Sequence, residues 1–180
     1  MNGTSKKSLS ETVAVKAAPI SEAAAGAILT VDLGAIRENY RRLKVRLGGV
    51  GCAGVVKADG YGLGGPQVAA ALAAEGCAVF FVAHLAEGAL LRQALGAQAA
   101  IHVLNGIQPG AESEAVAAGL GAVINSAGQL AAWRVAAQRA GRKLRAAIQV
   151  DSGMSRLGMA AAEVEAVAAD PQAFDGIDVT

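Results

Sequence analysis

The sequence predicts an α/β fold built on a parallel sheet, and three observations carry that prediction. Short apolar segments alternate in a regular beat with alanine-rich segments of helical pattern. The apolar segments are continuous runs, and a glycine, asparagine or proline turn separates each pair. Continuous apolar strands alternating with helices indicate a parallel sheet covered on both faces. An open doubly wound sheet and a closed barrel both satisfy that description.

Met1 to Gly26 is rich in Ser, Lys, Thr and Ala and lacks the sustained apolar run of a signal peptide, so residues 1–26 read as a flexible extension ahead of a domain at 27–180. Ile28-Leu29-Thr30-Val31 is a short strand candidate, and Asp32 is suited to cap the helix that follows. Leu33, Ile36, Tyr40, Leu43 and Leu47 recur at alternating steps of three and four, with Arg37, Arg41 and Arg42 between them. This is the clearest amphipathic helix in the chain, and Gly48-Gly49 ends it.

Strands are then expected at Val50 to Lys57, Val79 to Ala83, Ala100 to Asn105, Gly121 to Asn125, Ala146 to Asp151 and from Gly176 to the end. The helices between them are expected at Pro66 to Glu75, Leu85 to Leu95, Ala111 to Ala118, Ala127 to Ala140 and Ala160 to Ala169. Pro66 and Ser126 are start signals for two of these. Six strands fall short of a complete eight-stranded barrel, which needs roughly 200 residues or more, so the chain is expected to be truncated before such a barrel closes.

Composition narrows the partners. The 180 residues carry a net charge of +1 and are 53% hydrophobic, which gives no footprint for nucleic acid or an anionic membrane. Aromatics are only 3%, too few for a base-stacking platform. Glycines and charges interrupt every apolar run before the roughly 18 residues of a membrane span. Cys52 and Cys77 fit no CxxC or metal spacing, which points to a reducing compartment. His84 and His102 stand outside any HExxH-like pattern and read as packed or surface histidines, with no metal expected.

The stretch with the most chemistry is Val55-Val56-Lys57-Ala58-Asp59-Gly60-Tyr61-Gly62, a lysine at the end of an apolar run that breaks into glycines. In a parallel β/α fold, reactive groups stand at the C-terminal ends of strands. Lys57 there reads as a Schiff-base lysine, whose amine becomes nucleophilic when partial burial lowers its pKa. Taken alone, a lysine at a strand end is more often a solvated or salt-bridged side chain.

Two motifs go further. VVKADGYGLG at Val55 to Gly64 and QVDSGMSRLGM at Gln149 to Met159 resemble, in order and spacing, the two signatures of bacterial alanine racemases. Val31-Asp32-Leu33 with Ala35 to Asn39 is similar to that family's opening strand and first helix, and Val82-Ala83 through Glu87-Gly88-Ala89 to its third segment. The resemblance implies a fold-type III enzyme that uses pyridoxal 5'-phosphate, here as a partial (β/α)8 TIM-type barrel lacking the family's C-terminal β domain.

By the same resemblance, Lys57 binds the cofactor and is the catalytic base on one face of the substrate. Tyr61 helps hold the cofactor phosphate, and Arg156 reaches the cofactor's phenolic oxygen and the substrate carboxylate. Many family members have a carbamylated lysine where this chain has Gln149, which is neutral. The second base, a tyrosine, is expected from the C-terminal domain of a partner subunit in a homodimer. The implied activity is cytoplasmic interconversion of L- and D-alanine, supplying D-alanine for peptidoglycan, with this chain inactive alone. The alternatives are a serine or broad-specificity racemase of the same fold, a non-catalytic pyridoxal-phosphate-binding relic, and a fragment that does not fold.

Overall fold

The computed structural model describes residues 21–180. Most of the expected 1–26 extension lies outside the described residues, and Glu22–Ala24 forms one 3-10 turn. Ile28 to Val31, expected as a strand, belongs to no ladder among the described residues, where β1 (Gly54–Val55) pairs with β2 (Val79–Val82) alone.

Helix α1 (Leu33–Leu47) starts where Asp32 Oδ1 accepts the Ala35 N–H at 3.0 Å and ends at Gly48 in the left-handed conformation, a glycine stop. Of its apolar stripe only Tyr40 is fully buried, donating its hydroxyl to the Cys52 carbonyl at 2.7 Å. Leu33 and Ile36 pack against the core, whereas Leu43 and Leu47 stay exposed, because the helix of this unit that α1 packs along is α3 (Gly65–Ala74). Arg37 and Arg41 pair with Glu75 at 2.6 and 3.4 Å, at the C-terminal end of α3.

Beyond β1 the chain runs α2 (Lys57–Tyr61), α3, β2, α4 (Leu85–Leu95), β3 (Ala100–Val103), α5 (Glu112–Ala117), β4 (Gly121–Ile124), α6 (Ala127–Ala140), β5 (Leu144–Ile148), α7 (Ala161–Ala169) and β6 (Ile177–Val179). The strands are all parallel and lie in the order β1-β2-β3-β4-β5-β6. A doubly wound sheet reverses its strand order at a switch point. This one never reverses, which is the winding of a (β/α)8 barrel and decides between the two architectures left open by the sequence.

The core sits between the sheet and its helices. Phe80, Val82, Ile101, Val103, Ile124, Leu144 and Ala146 are buried, together with Leu91, Leu130 and Trp133 from the helices. Burying each large side chain stabilises the fold by roughly 1.5–3 kcal/mol. Trp133 also satisfies its indole N–H on the Arg145 carbonyl at 3.1 Å. The opposite, concave face is covered less than expected: Val55 is 45% exposed and Arg145 and Asp178 are exposed. Period-2 alternation sends these side chains away from the helices, toward what is the interior of a barrel.

On that face the register aligns Val55, Phe81, His102 and Gly121 in one row. The His102 ring stacks on Phe81, centroids 5.4 Å apart, and lies over Gly121, where a Cβ would meet its Nδ1 at 2.6 Å. Burial, aided by the Arg145 charge, holds the imidazole below its ordinary pKa. His102 is thus a packed histidine, as expected from its sequence context.

Candidate active site

The C-terminal ends of the strands enclose a cavity of about 310 Å³. That size lies at the lower end of small-molecule sites. Lys57 follows β1, Ala83 follows β2, Leu104 and Asn105 follow β3, Gln149 follows β5, and Arg156 and Leu157 come from the loop before α7. Among the described residues, two cations line the cavity and no carboxylate does. Such a lining concentrates anionic ligands, and the amide groups of Asn105 and Gln149 add neutral hydrogen-bonding capacity.

Lys57 is not the last residue of a long strand. Its strand has only Gly54 and Val55 in the ladder, which meet β2 at Gly54–Phe80 and Val55–Phe81. Lys57 instead opens a single left-handed helical turn, with Ala58, Asp59, Gly60 and Tyr61 at φ of 53°, 53°, 64° and 57°. Three of these are not glycine, and left-handed geometry costs roughly 1–2 kcal/mol for each such residue. The turn bonds within itself through Gly62 N–H to Ala58 O and Gly64 N–H to Asp59 O, both at 2.9 Å. The Asp59 carboxylate accepts the Gly65 N–H at 2.7 Å. Gly60 allows the close approach of the following helix, because a Cβ there would lie 3.2 Å from Gly65 N and Cα.

Neighbouring elements hold the turn as well. Glu87, the third residue of α4, accepts the Ala58 N–H at 2.8 Å on Oε1, and the Ala83 and His84 N–H groups at 2.7 and 3.3 Å on Oε2. The third residues of α6 and α7 do related work. Gln129 accepts the Asn125 N–H at 2.8 Å and donates to the Asn105 carbonyl at 3.2 Å. Glu163 accepts the Ala160 and Ala127 N–H groups at 3.2 and 2.9 Å. Each thus ties its own helix start to an element earlier in the chain, so the rim around the cavity is stapled sideways.

Arg156 arrives differently. Its loop folds back on the end of β5, with Met159 N–H donating to Gln149 O at 2.8 Å and Asp151 N–H to Met159 O at 3.0 Å. Gly158 makes that closure feasible: at φ +109° it brings its Cα close enough to Asp151 N that a Cβ would be 2.6 Å away. The Asp151 carboxylate accepts Gly153 and Ser155 N–H groups at 3.0 and 2.9 Å, and the Ser155 bond is the main reason its pKa falls below the ordinary value. The Arg156 guanidinium is exposed and has no hydrogen-bond or ion-pair partner among the described residues.

Of the residues singled out from sequence, the structure brings Lys57, Gln149 and Arg156 to one cavity. Tyr61 does not line it; it is 63% exposed on the rim. Sequence reading missed Asn105 as a lining residue and Glu87 as a clamp. A polar residue three places into a helix, just after a strand end, was the signal available for Glu87. Asn125 is buried with its Oδ1 unpartnered, while its amide group donates to Leu104 O at 2.9 Å and Val123 O at 3.1 Å.

Comparison with known proteins completes the description of the site. The family model for "Alanine racemase, N-terminal domain" matches residues 31–180. A catabolic alanine racemase of Mesorhizobium japonicum is 73% identical over 161 residues, covering 89% of this chain and 42% of the relative. One from Agrobacterium fabrum is 46% identical over 160 residues, covering 88% and 41%. The chain therefore spans about two-fifths of the length of these curated relatives. Among solved structures, alanine racemase from Bartonella henselae with covalently bound pyridoxal phosphate superposes with a TM-score of 0.79 at 36% identity, covering 83% of this chain and 43% of that one.

Proposed function

The chain belongs to the alanine racemase N-terminal domain family, and from that premise we propose that it forms the cofactor-binding part of an enzyme that interconverts L- and D-alanine with pyridoxal 5'-phosphate. The observation that carries this reading is that Lys57 and Arg156 line one cavity at the C-terminal ends of the strands. The donor set fits the cofactor: a primary amine can bond its aldehyde, and two cations, with no lining carboxylate among the described residues, suit its anionic oxygens. When bound, pyridoxal 5'-phosphate supplies an electron sink that makes the substrate α-proton acidic.

The chain's own residues then divide the work. Lys57 Nζ would anchor the cofactor and move a proton on one face of the substrate α-carbon. Arg156 presents a planar fork that stays charged, suited to a substrate carboxylate or a phenolic oxygen. The Tyr61 hydroxyl, at the rim, would donate to the cofactor phosphate. Racemisation needs a second base on the opposite face. We assign it to a tyrosine of a partner subunit in a homodimer, in keeping with the family resemblance.

That these two relatives are catabolic alanine racemases favours alanine breakdown over D-alanine supply for peptidoglycan as the physiological direction. Induction of expression by alanine would support the catabolic role; a growth requirement for D-alanine when the gene is deleted would support the biosynthetic one.

The catalytic reading is tested with the protein as its gene encodes it, loaded with pyridoxal 5'-phosphate. Borohydride reduction should leave a pyridoxyl mass increment on the peptide carrying Lys57, and Lys57→Ala should lower racemisation by at least about a hundredfold. An increment on another lysine, or wild-type turnover in Lys57→Ala, would sink it.

A further inference from the structure

Resting on the reading that Lys57 carries the cofactor, we propose that Glu87 is the positioning residue for Lys57. By accepting the Ala58 N–H at 2.8 Å, its carboxylate holds the left-handed turn against the end of β2 and so sets where the lysine amine stands in the cavity.

Glu87 does not line the cavity and has no hydrogen bond to Lys57. It acts on the peptide group that follows the lysine. The bond to the Ala58 N–H comes from outside the turn, and Ala58 has the left-handed conformation that a non-glycine residue adopts only when its surroundings impose it.

The chemistry of position 87 is specific. All three of its partners are N–H donors, on Ala58, Ala83 and His84, so the side chain must accept at both oxygens. The equivalent position in α6 meets one donor and one acceptor, Asn125 N–H and Asn105 carbonyl, and there the residue is an amide, Gln129. In α7 the partners are again donors only, Ala160 and Ala127 N–H, and the residue is again a carboxylate, Glu163. Side-chain type thus follows partner type at all three places.

This makes Glu87→Gln a discriminating variant. Its carbonyl oxygen can keep the Ala83 and His84 bonds, which preserves the start of α4. Its NH2 group then faces the Ala58 N–H, donor against donor, and releases the turn alone. In the pyridoxal-phosphate-loaded protein, kcat should fall about ten- to a hundredfold, the scale of a misplaced catalytic group. KM for alanine should change much less, and the pH titration of the lysine-bound cofactor's absorbance should shift.

Asp32→Ala, which removes the cap of α1 away from the cavity, is the control for general destabilisation and should leave kcat and the titration unchanged. Wild-type kcat and titration in Glu87→Gln would overturn the proposal, as would an equal loss of kcat in Asp32→Ala. Lys57→Ala separates the two levels: if borohydride still fixes the cofactor to a lysine of that variant, the assignment of Lys57 itself fails, whatever Glu87→Gln does.

Discussion

The turn after β1 and the loop after β5 both deliver a cation to the same cavity, yet the first is held by its neighbours and the second by itself. Around Lys57, the Glu87 carboxylate and the backbone of α3 constrain a conformation that three non-glycine residues would not adopt freely. Around Arg156, the Asp151 carboxylate and the backbone bonds to Met159 close a loop that leaves the guanidinium exposed. The difference suits the tasks proposed for them. A proton-transfer group must be held in one place, whereas a group that engages a carboxylate can complete its geometry when the ligand arrives.

Three perturbations would break or sharpen that contrast. The largest effect is expected from Gly60→Ala, where positive φ and a Cβ 3.2 Å from the Gly65 backbone combine. It should cost about 2–3 kcal/mol in a urea unfolding experiment. An unchanged midpoint would mean the turn is not clamped between β1 and α3.

Arg156→Lys comes next. It keeps the charge and loses the planar fork, so KM for alanine should rise about tenfold. Stability should stay within about 0.5 kcal/mol, because the guanidinium has no partner among the described residues to lose. A clear drop in melting temperature would tie the loop to the framework after all.

The smallest effect is confined to acid. Backbone N–H bonds, first from Ser155 and then from Gly153, hold the Asp151 carboxyl below its ordinary pKa. For a group depressed on folding, the stabilisation is present above the unfolded value and is lost as pH falls through the folded value. The loop is therefore intact at neutral pH. The Gly153 and Ser155 amide NMR shifts should titrate together with a midpoint below that of an ordinary aspartate, and Asp151→Asn should abolish that step.

Much of the scaffold was legible in the sequence because its punctuation is chemical. Helices α4 and α6 fall at Leu85–Leu95 and Ala127–Ala140, as expected, with Ser126 capping the second by accepting the Gln129 N–H at 3.2 Å. The parallel winding followed from the apolar runs, but the choice of a barrel over a doubly wound sheet needed strand order, which no local pattern encodes.

The boundaries of β1 were misjudged because an apolar run reports burial, while a ladder counts only the residues that pair with the neighbouring strand. The left-handed turn was illegible at Ala58 and Asp59, since neither residue prefers that conformation; tertiary bonds impose it. The lower half of the α1 stripe, Leu43 and Leu47, has the periodicity of a buried face without being buried. Lys57, Gln149 and Arg156 were singled out from motif alone and line one cavity, whereas the exposure of Tyr61 could only be seen in three dimensions.

The imidazole lying over Gly121 makes residues 102 and 121 a single choice for the fold. A side chain at 121 would need the space that the ring occupies, and a smaller residue at 102 would open a void beneath Phe81. Across related sequences the two positions should therefore change together or not at all, and a redesign that enlarges one must shrink the other in the same step.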